Sequence, residues 1–361
     1  MDSDVKISYW QLFMIFALMN GLISHVVVNP MILDASRRDA WLVPIVAGVP
    51  FLLWSVLVQG IMRLTGIAEW KQWLAQRLHP AVAWVLLAPV GLQLYMIGGM
   101  TVIHTSVWHT TNYLPTLPEQ FLIVSLVTFC AALAFWGLRT IALVSGILLP
   151  IVSALGVFVG LFNKPAKDFK LIRPVLEHGW GPVLDGLVYS GSGFVELLFL
   201  IVIQHRLKRL PKWWQVASYV LFSIAISIGP LLGAITEFGP QEAALQMISP
   251  YEQWRLVQIG HFIEHLDFLS IFQWLSGACI RISLAVYLFV ELLPLSTKRA
   301  RRIAIALVLG SYLSLAAIQV NEYNYYLWLT EFYMPISFVV MLLLSLVWTA
   351  AAWGGARRRM S

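Results

Sequence analysis

The sequence predicts an all-α integral membrane protein of ten transmembrane helices, and three features predict it. Hydrophobic residues make up 59% of the chain and charged residues 12%, with a mean hydropathy of +0.78, whereas soluble domains carry about 25% charged residues. Apolar runs that match the roughly 20 residues needed to cross a hydrocarbon core of about 30 Å recur ten times. Lysines and arginines other than Arg281 stay outside these runs and are biased toward alternate loops, as membrane topology favours.

A backbone in lipid must satisfy its own hydrogen bonds, so each run is read as a helix. In order the helices are expected at 8–29, 41–62, 81–104, 119–138, 141–161, 184–203, 214–236, 268–293, 303–320 and 333–353. The first follows Asp2, Asp4 and Lys6 instead of a basic region and is longer than a cleavable apolar segment, so it is expected to remain as helix one. Cys130 and Cys279 fall inside helices, where thiols behave as small apolar groups, and neither a disulfide framework nor a metal site is expected. The helices group as 8–161 and 184–353 within one polytopic domain spanning 1–361.

Placing the N-terminus in the cytoplasm puts sixteen of the 24 lysines and arginines on that side, seven on the other and Arg281 inside helix eight. Both termini are therefore expected to be cytoplasmic. The net charge of +6 comes from loops and one end of the chain, so it suits membrane topology and does not suggest nucleic-acid binding. No phosphate loop, nucleophile elbow, zinc-protease motif or kinase signature stands in a credible context, so neither an enzyme nor a cofactor is expected.

Two helices carry glycine-rich polar interruptions. Asn20-Gly21, followed by Ser24 and His25, lies in helix one, and Tyr189-Ser190-Gly191-Ser192-Gly193 lies in helix six. Glycine costs a helix about 1 kcal/mol and exposes backbone, which lipid does not tolerate unless the freed groups face protein, water or a ligand. At ~1.5 Å per residue, Asn20 lies roughly 18 Å from one membrane surface and Ser190 to Gly193 roughly 9 to 14 Å from the other, so both breaks fall near the same level. The helices are equivalent members of two five-helix halves of opposite orientation, the pattern of an inverted repeat with a site between broken helices. Close helix packing is the alternative reading of the same glycines.

Glu196 and Arg281 sit at nearly equal depth in helices six and eight. An ion facing lipid costs at least ~2.5 kcal/mol, so both are expected to face the interior and to pair, either to fix packing or to couple a ligand to conformation. Tyr95, near Gln93 and Gly98-Gly99, is a candidate pocket wall. His261 and His265, four apart and followed by Asp267, have a metal-like spacing, but 251–267 reads more simply as an amphipathic outer helix, and no metal is expected.

Ile7-Ser8, Gln11, Leu114-Pro115-Thr116-Leu117-Pro118 and Gly191 to Glu196 carry a resemblance, joined by a more specific stretch of Phe238-Gly239-Pro240, Ala243-Ala244, Pro250, Arg255, Gly260, Phe262, Ile263, Leu266-Asp267, Trp274 and Arg281. Over nearly its whole length the chain resembles the B subunit of endospore germinant receptors, the spore germination permease family of the amino acid-polyamine-organocation superfamily. The resemblance implies a LeuT-like 5+5 fold, an amino acid or similar small germinant as ligand, and A and C subunits as partners. It also implies a ligand pocket among helices one, three, six and eight, carried here by Asn20, Gly21, Ser24, Tyr95, Gly99, Ser190, Gly191 and Ser283. Receptor, amino acid permease or ion-coupled symporter, and membrane scaffold are the three functions open at this point.

Overall fold

Apolar runs bounded by capping residues become helices in the computed structural model, which describes residues 5–113, 115–260, 265–318 and 320–357. At the start of helix one, Ser8 and Gln11 form a capping box: Gln11 N donates to Ser8 Oγ at 3.3 Å, and Ser8 N donates to Gln11 Oε1 at 2.9 Å. Between helices four and five a single glycine, Gly137 with φ +86°, turns the chain, a conformation in which a side chain would be strained.

Among the described residues the ten long helical segments are Tyr9–Val27, Val43–Thr65, Pro80–Asn112, Glu119–Trp136, Leu138–Phe162, Gly181–Arg206, Trp213–Phe238, Phe268–Leu292, Lys298–Ala316 and Glu322–Gly354, numbered one to ten. Among the described residues, nine helical segments are long and apolar enough to cross a membrane. Helix nine falls outside that set because its first turns carry Lys298, Arg299, Arg301 and Arg302.

Helices six and eight form the centre, each with 83% of its most apolar window buried, whereas helix five, at 17%, lies at the periphery. Ile7 pairs with the end of helix six, through Ile7 N to Arg206 O and Lys208 N to Ile7 O, both at 2.9 Å. The start of helix one and the end of helix six therefore share one end of the bundle, called the basic end below.

Small residues set the close approaches, as expected where lipid offers no hydrophobic drive between helices. A Cβ on Gly98 would lie 2.5 Å from the Tyr312 hydroxyl of helix nine, and one on Gly191 would lie 2.6 Å from the Phe338 ring of helix ten.

The expected outer helix at 251–267 is shorter than the sequence suggested. It is confined to Ser249–Arg255, and Gly260 and His265 both adopt positive φ. His261, Phe262 and Ile263, together with Asp2, Asp4, Leu114, Arg358 and Arg359, lie outside the described residues.

Gly98→Leu is expected to lower stability by about 1–3 kcal/mol through overpacking against Tyr312. Thermal unfolding in detergent reads this as a fall in Tm, and an unchanged Tm would contradict the packing role.

Candidate functional site

Helix one keeps α-helical bonding through Asn20-Gly21 and departs from it just afterwards. The α-helix ends at Leu22, and Ile23–Val27 form a π turn closed by Val28 N to Ile23 O at 3.0 Å. Pro30 follows and has no N–H to offer the Val26 carbonyl, so the chain cannot continue as a regular α-helix there. In helix six the departure again falls after the glycines, where Val195–Leu198 tighten into a 3-10 segment between α-helices Gly181–Phe194 and Phe199–Ile203. Both interruptions thus lie a few residues beyond the positions expected from sequence, and both keep the chain helical.

Each interruption leaves a backbone carbonyl that another helix satisfies. Ile23 N–H donates to Asn20 O, and the Met19 carbonyl one residue earlier accepts from Arg281 Nη1 at 2.8 Å. Gly193 O accepts from Asn20 Nδ2 at 2.7 Å, and Asn20 Oδ1 accepts from Ser24 Oγ at 2.8 Å. A Cβ on Gly193 would sit 2.8 Å from Ser24 Oγ, so glycine is what lets helix one lie this close to helix six. In the same way His25 Nδ1 donates to Ile226 O at 2.9 Å, the carbonyl whose α-helical donor is removed by Pro230 in helix seven.

Glu196 and Arg281 pair in bidentate fashion, Nη1 to Oε2 at 2.8 Å and Nη2 to Oε1 at 2.5 Å. Both side chains are buried. Two parallel N–H···O bonds fix the planar guanidinium against the carboxylate. One arginine thereby joins helix eight to helix six through a side chain and to helix one through a carbonyl.

The other candidates separate from this junction. Gly21 faces Ile226 of helix seven, and Gly191 faces Phe338. Ser190 is buried in helix six. Tyr95 is placed against helix nine instead of a pocket: its hydroxyl lies 2.9 Å from Ser311 Oγ, its carbonyl accepts from the Tyr312 hydroxyl, and Gly99 packs on the same Tyr312 ring. Ser283 faces helix four and donates to Cys130 O at 3.2 Å. A matching stretch fixes a position along a helix and not the face it presents, which is why the resemblance groups these residues with the junction.

Beside Arg281 lies a cavity of about 30 Å³, room for one or two waters. It is bordered by Ile23 and Val27 of helix one, Thr101 of helix three, and Leu329 and Tyr333 of helix ten. Helix ten, absent from the sequence reading of the site, carries a π turn of its own at Leu329–Tyr333, followed by Pro335. A π turn running into a proline is therefore found on both sides of the cavity, a distortion that recurs at functional sites. A second cavity of about 20 Å³ lies toward the opposite end of the bundle from the basic end, and shares Val27, His104, Tyr325 and Leu329 with the first. Pro30 and Pro335 were the sequence signals that could have located both π turns.

Comparison with known proteins places this arrangement. A family profile described as "Spore germination protein" matches residues 6–320. Spore germination protein XB of Bacillus anthracis is 35% identical over 347 residues, 96% of this chain and 98% of that protein. Among solved structures, the nucleobase-cation-symport-1 family transporter Mhp1, in a closed conformation with bromovinylhydantoin bound, superposes with a TM-score of 0.62 at 12% identity, covering 99% of this chain and 94% of that one. The chain thus has the LeuT-like fold of broken helices that the resemblance implied, and the family and fold are those of a non-enzymatic membrane protein.

Removing one partner of the buried pair leaves an uncompensated charge, so Arg281→Ala or Glu196→Ala alone is expected to cost about 3–5 kcal/mol, and the double variant much less than the sum. A double-mutant cycle on unfolding free energy measures the coupling, and strictly additive losses would contradict it.

Proposed function

This chain belongs to the spore germination protein family, and from that premise we propose that it is the germinant-sensing membrane subunit of a spore germination receptor. A small amino-acid-like solute would bind between the π turns of helices one and ten, next to Arg281, and signal by shifting the conformation of the bundle. The observation that carries this reading is the pair of proline-terminated π turns bordering one cavity that touches a buried ion pair. The reading includes cytoplasmic termini, the 24 basic residues being biased to that side, and the receptor's A and C subunits as partners.

The cavity has room for one or two waters, so a bound amino acid would part its walls, the π turns among them. A ligand shifts a two-state equilibrium only by its differential affinity, and turning a 1:99 population into 99:1 takes about 10⁴-fold. Net flux of solute is not needed for that work.

A transporter on the same fold would be an amino acid permease or an ion-coupled symporter. Arg281 argues against ion coupling, since its guanidinium already gives a fixed positive charge to the Met19 carbonyl and to Glu196. A mobile cation would have to compete with a tethered one.

Amino-acid binding and vesicle uptake on one preparation test the proposal. The expected result is binding that persists when sodium is replaced by choline, without accumulation in vesicles. Concentrative uptake would overturn the receptor reading in favour of transport, and sodium-dependent binding would overturn the role given to Arg281.

A further inference from the structure

Ten residues beyond Glu196 on helix six stands Arg206, and ten residues beyond Arg281 on helix eight stands Glu291. Arg206 Nη2 pairs with Glu291 Oε1. The two helices are therefore joined by two buried ion pairs with the charges exchanged: acid on six and base on eight near the middle of the bundle, base on six and acid on eight at the basic end. Along helix eight the levels are about 15 Å apart.

The second pair is heavily supported. Glu291 Oε1 also faces His205 Nε2 at 3.1 Å, and its Oε2 faces Arg301 Nη1 of helix nine at 3.2 Å. Lys71 Nζ, from the segment after helix two, donates to the carbonyls of Glu291 and Leu293 at 2.9 and 3.2 Å. The Glu291 carbonyl is among the last of helix eight, which have no intrahelical donor and favour a cation, and Leu293 is the residue just beyond the helix.

We propose that Arg206 and Glu291 are positioning residues that, with Glu196 and Arg281, clamp helices six and eight into one unit of fixed register. Because both pairs join the same two helices, sliding one helix by a turn breaks both at once and strands Glu196 and Arg281 in a low-dielectric interior. Because the charge order is inverted, a slip of ten residues brings Arg206 opposite Arg281, like against like. Movement at the candidate site is then left to helices one and ten, whose π turns border the cavity, and a path that opens by parting helix six from helix eight has to break both clamps. This inference does not rest on the identity or existence of a ligand.

Spin labels at the basic end test it on the full chain in nanodiscs, with Lys208→Cys and Ser296→Cys, both exposed, in a Cys130→Ala and Cys279→Ala background. Double electron–electron resonance is expected to give one narrow distance distribution in this parent, and to keep it narrow in Arg206→Lys. The distribution should broaden or split in R206Q/E291Q, which removes the charges of the pair together. If that variant does not fold, R206M/E291L fills the same volume with apolar side chains and carries the same reading. A distribution that superposes on the parent in the paired variant, or equal broadening in Arg206→Lys, overturns the clamp.

Discussion

Inside a bilayer an unsatisfied backbone carbonyl has no water to turn to, and this constraint governs the centre of the molecule. Helices one and six depart from α-helical bonding, and the Met19 and Gly193 carbonyls there are met by side chains from other helices, Arg281 and Asn20. Arg281 can stand at that depth because Glu196 neutralises it through two hydrogen bonds. Glu196 is in turn tolerable because the guanidinium is held at a third point. Irregular helix and buried charge, each costly alone, are mutually supporting here.

The close approach that makes these contacts possible depends on small residues. Gly193 admits Ser24 and Asn20 against helix six, while Gly98 and Gly191 admit large aromatic rings from helices nine and ten. Prolines contribute in a different way: Pro230 removes a donor and so creates the carbonyl that His25 binds, and Pro30 and Pro335 follow the two π turns. The cavity between those turns is small, and its walls include the least regular stretches of two helices. Regular helices resist local change, whereas a π turn can be absorbed or extended by shifting a few hydrogen bonds.

Much of this was legible in the sequence, for identifiable reasons. Hydropathy located the spanning helices because length and apolarity are what a bilayer demands, although helix nine opens with four basic residues and falls short by that measure. Equal depth was enough to place Glu196 opposite Arg281, since lipid leaves a buried ion few options. The resemblance brought Tyr95, Gly99 and Ser283 to the pocket, but matching stretches do not fix a helix face, and these residues turn to helices nine and four. Glycine drew attention to the right neighbourhood of helices one and six, yet the departures follow it by several residues. In helix one the proline explains the shift, whereas in helix six Pro182 sits in the first turn, too far away to account for the 3-10 segment.

Where a small solute meets the bundle decides how this protein works. The most direct measurement is a cryo-electron microscopy map of the protein in lipid nanodiscs, with and without a saturating mixture of amino acids. Solute density is expected against Arg281, between rearranged π turns at Ile23–Val27 and Leu329–Tyr333, with helices six and eight superposing in the two maps. Density elsewhere, or regular α-helix through both turns in the solute-free map, would contradict it.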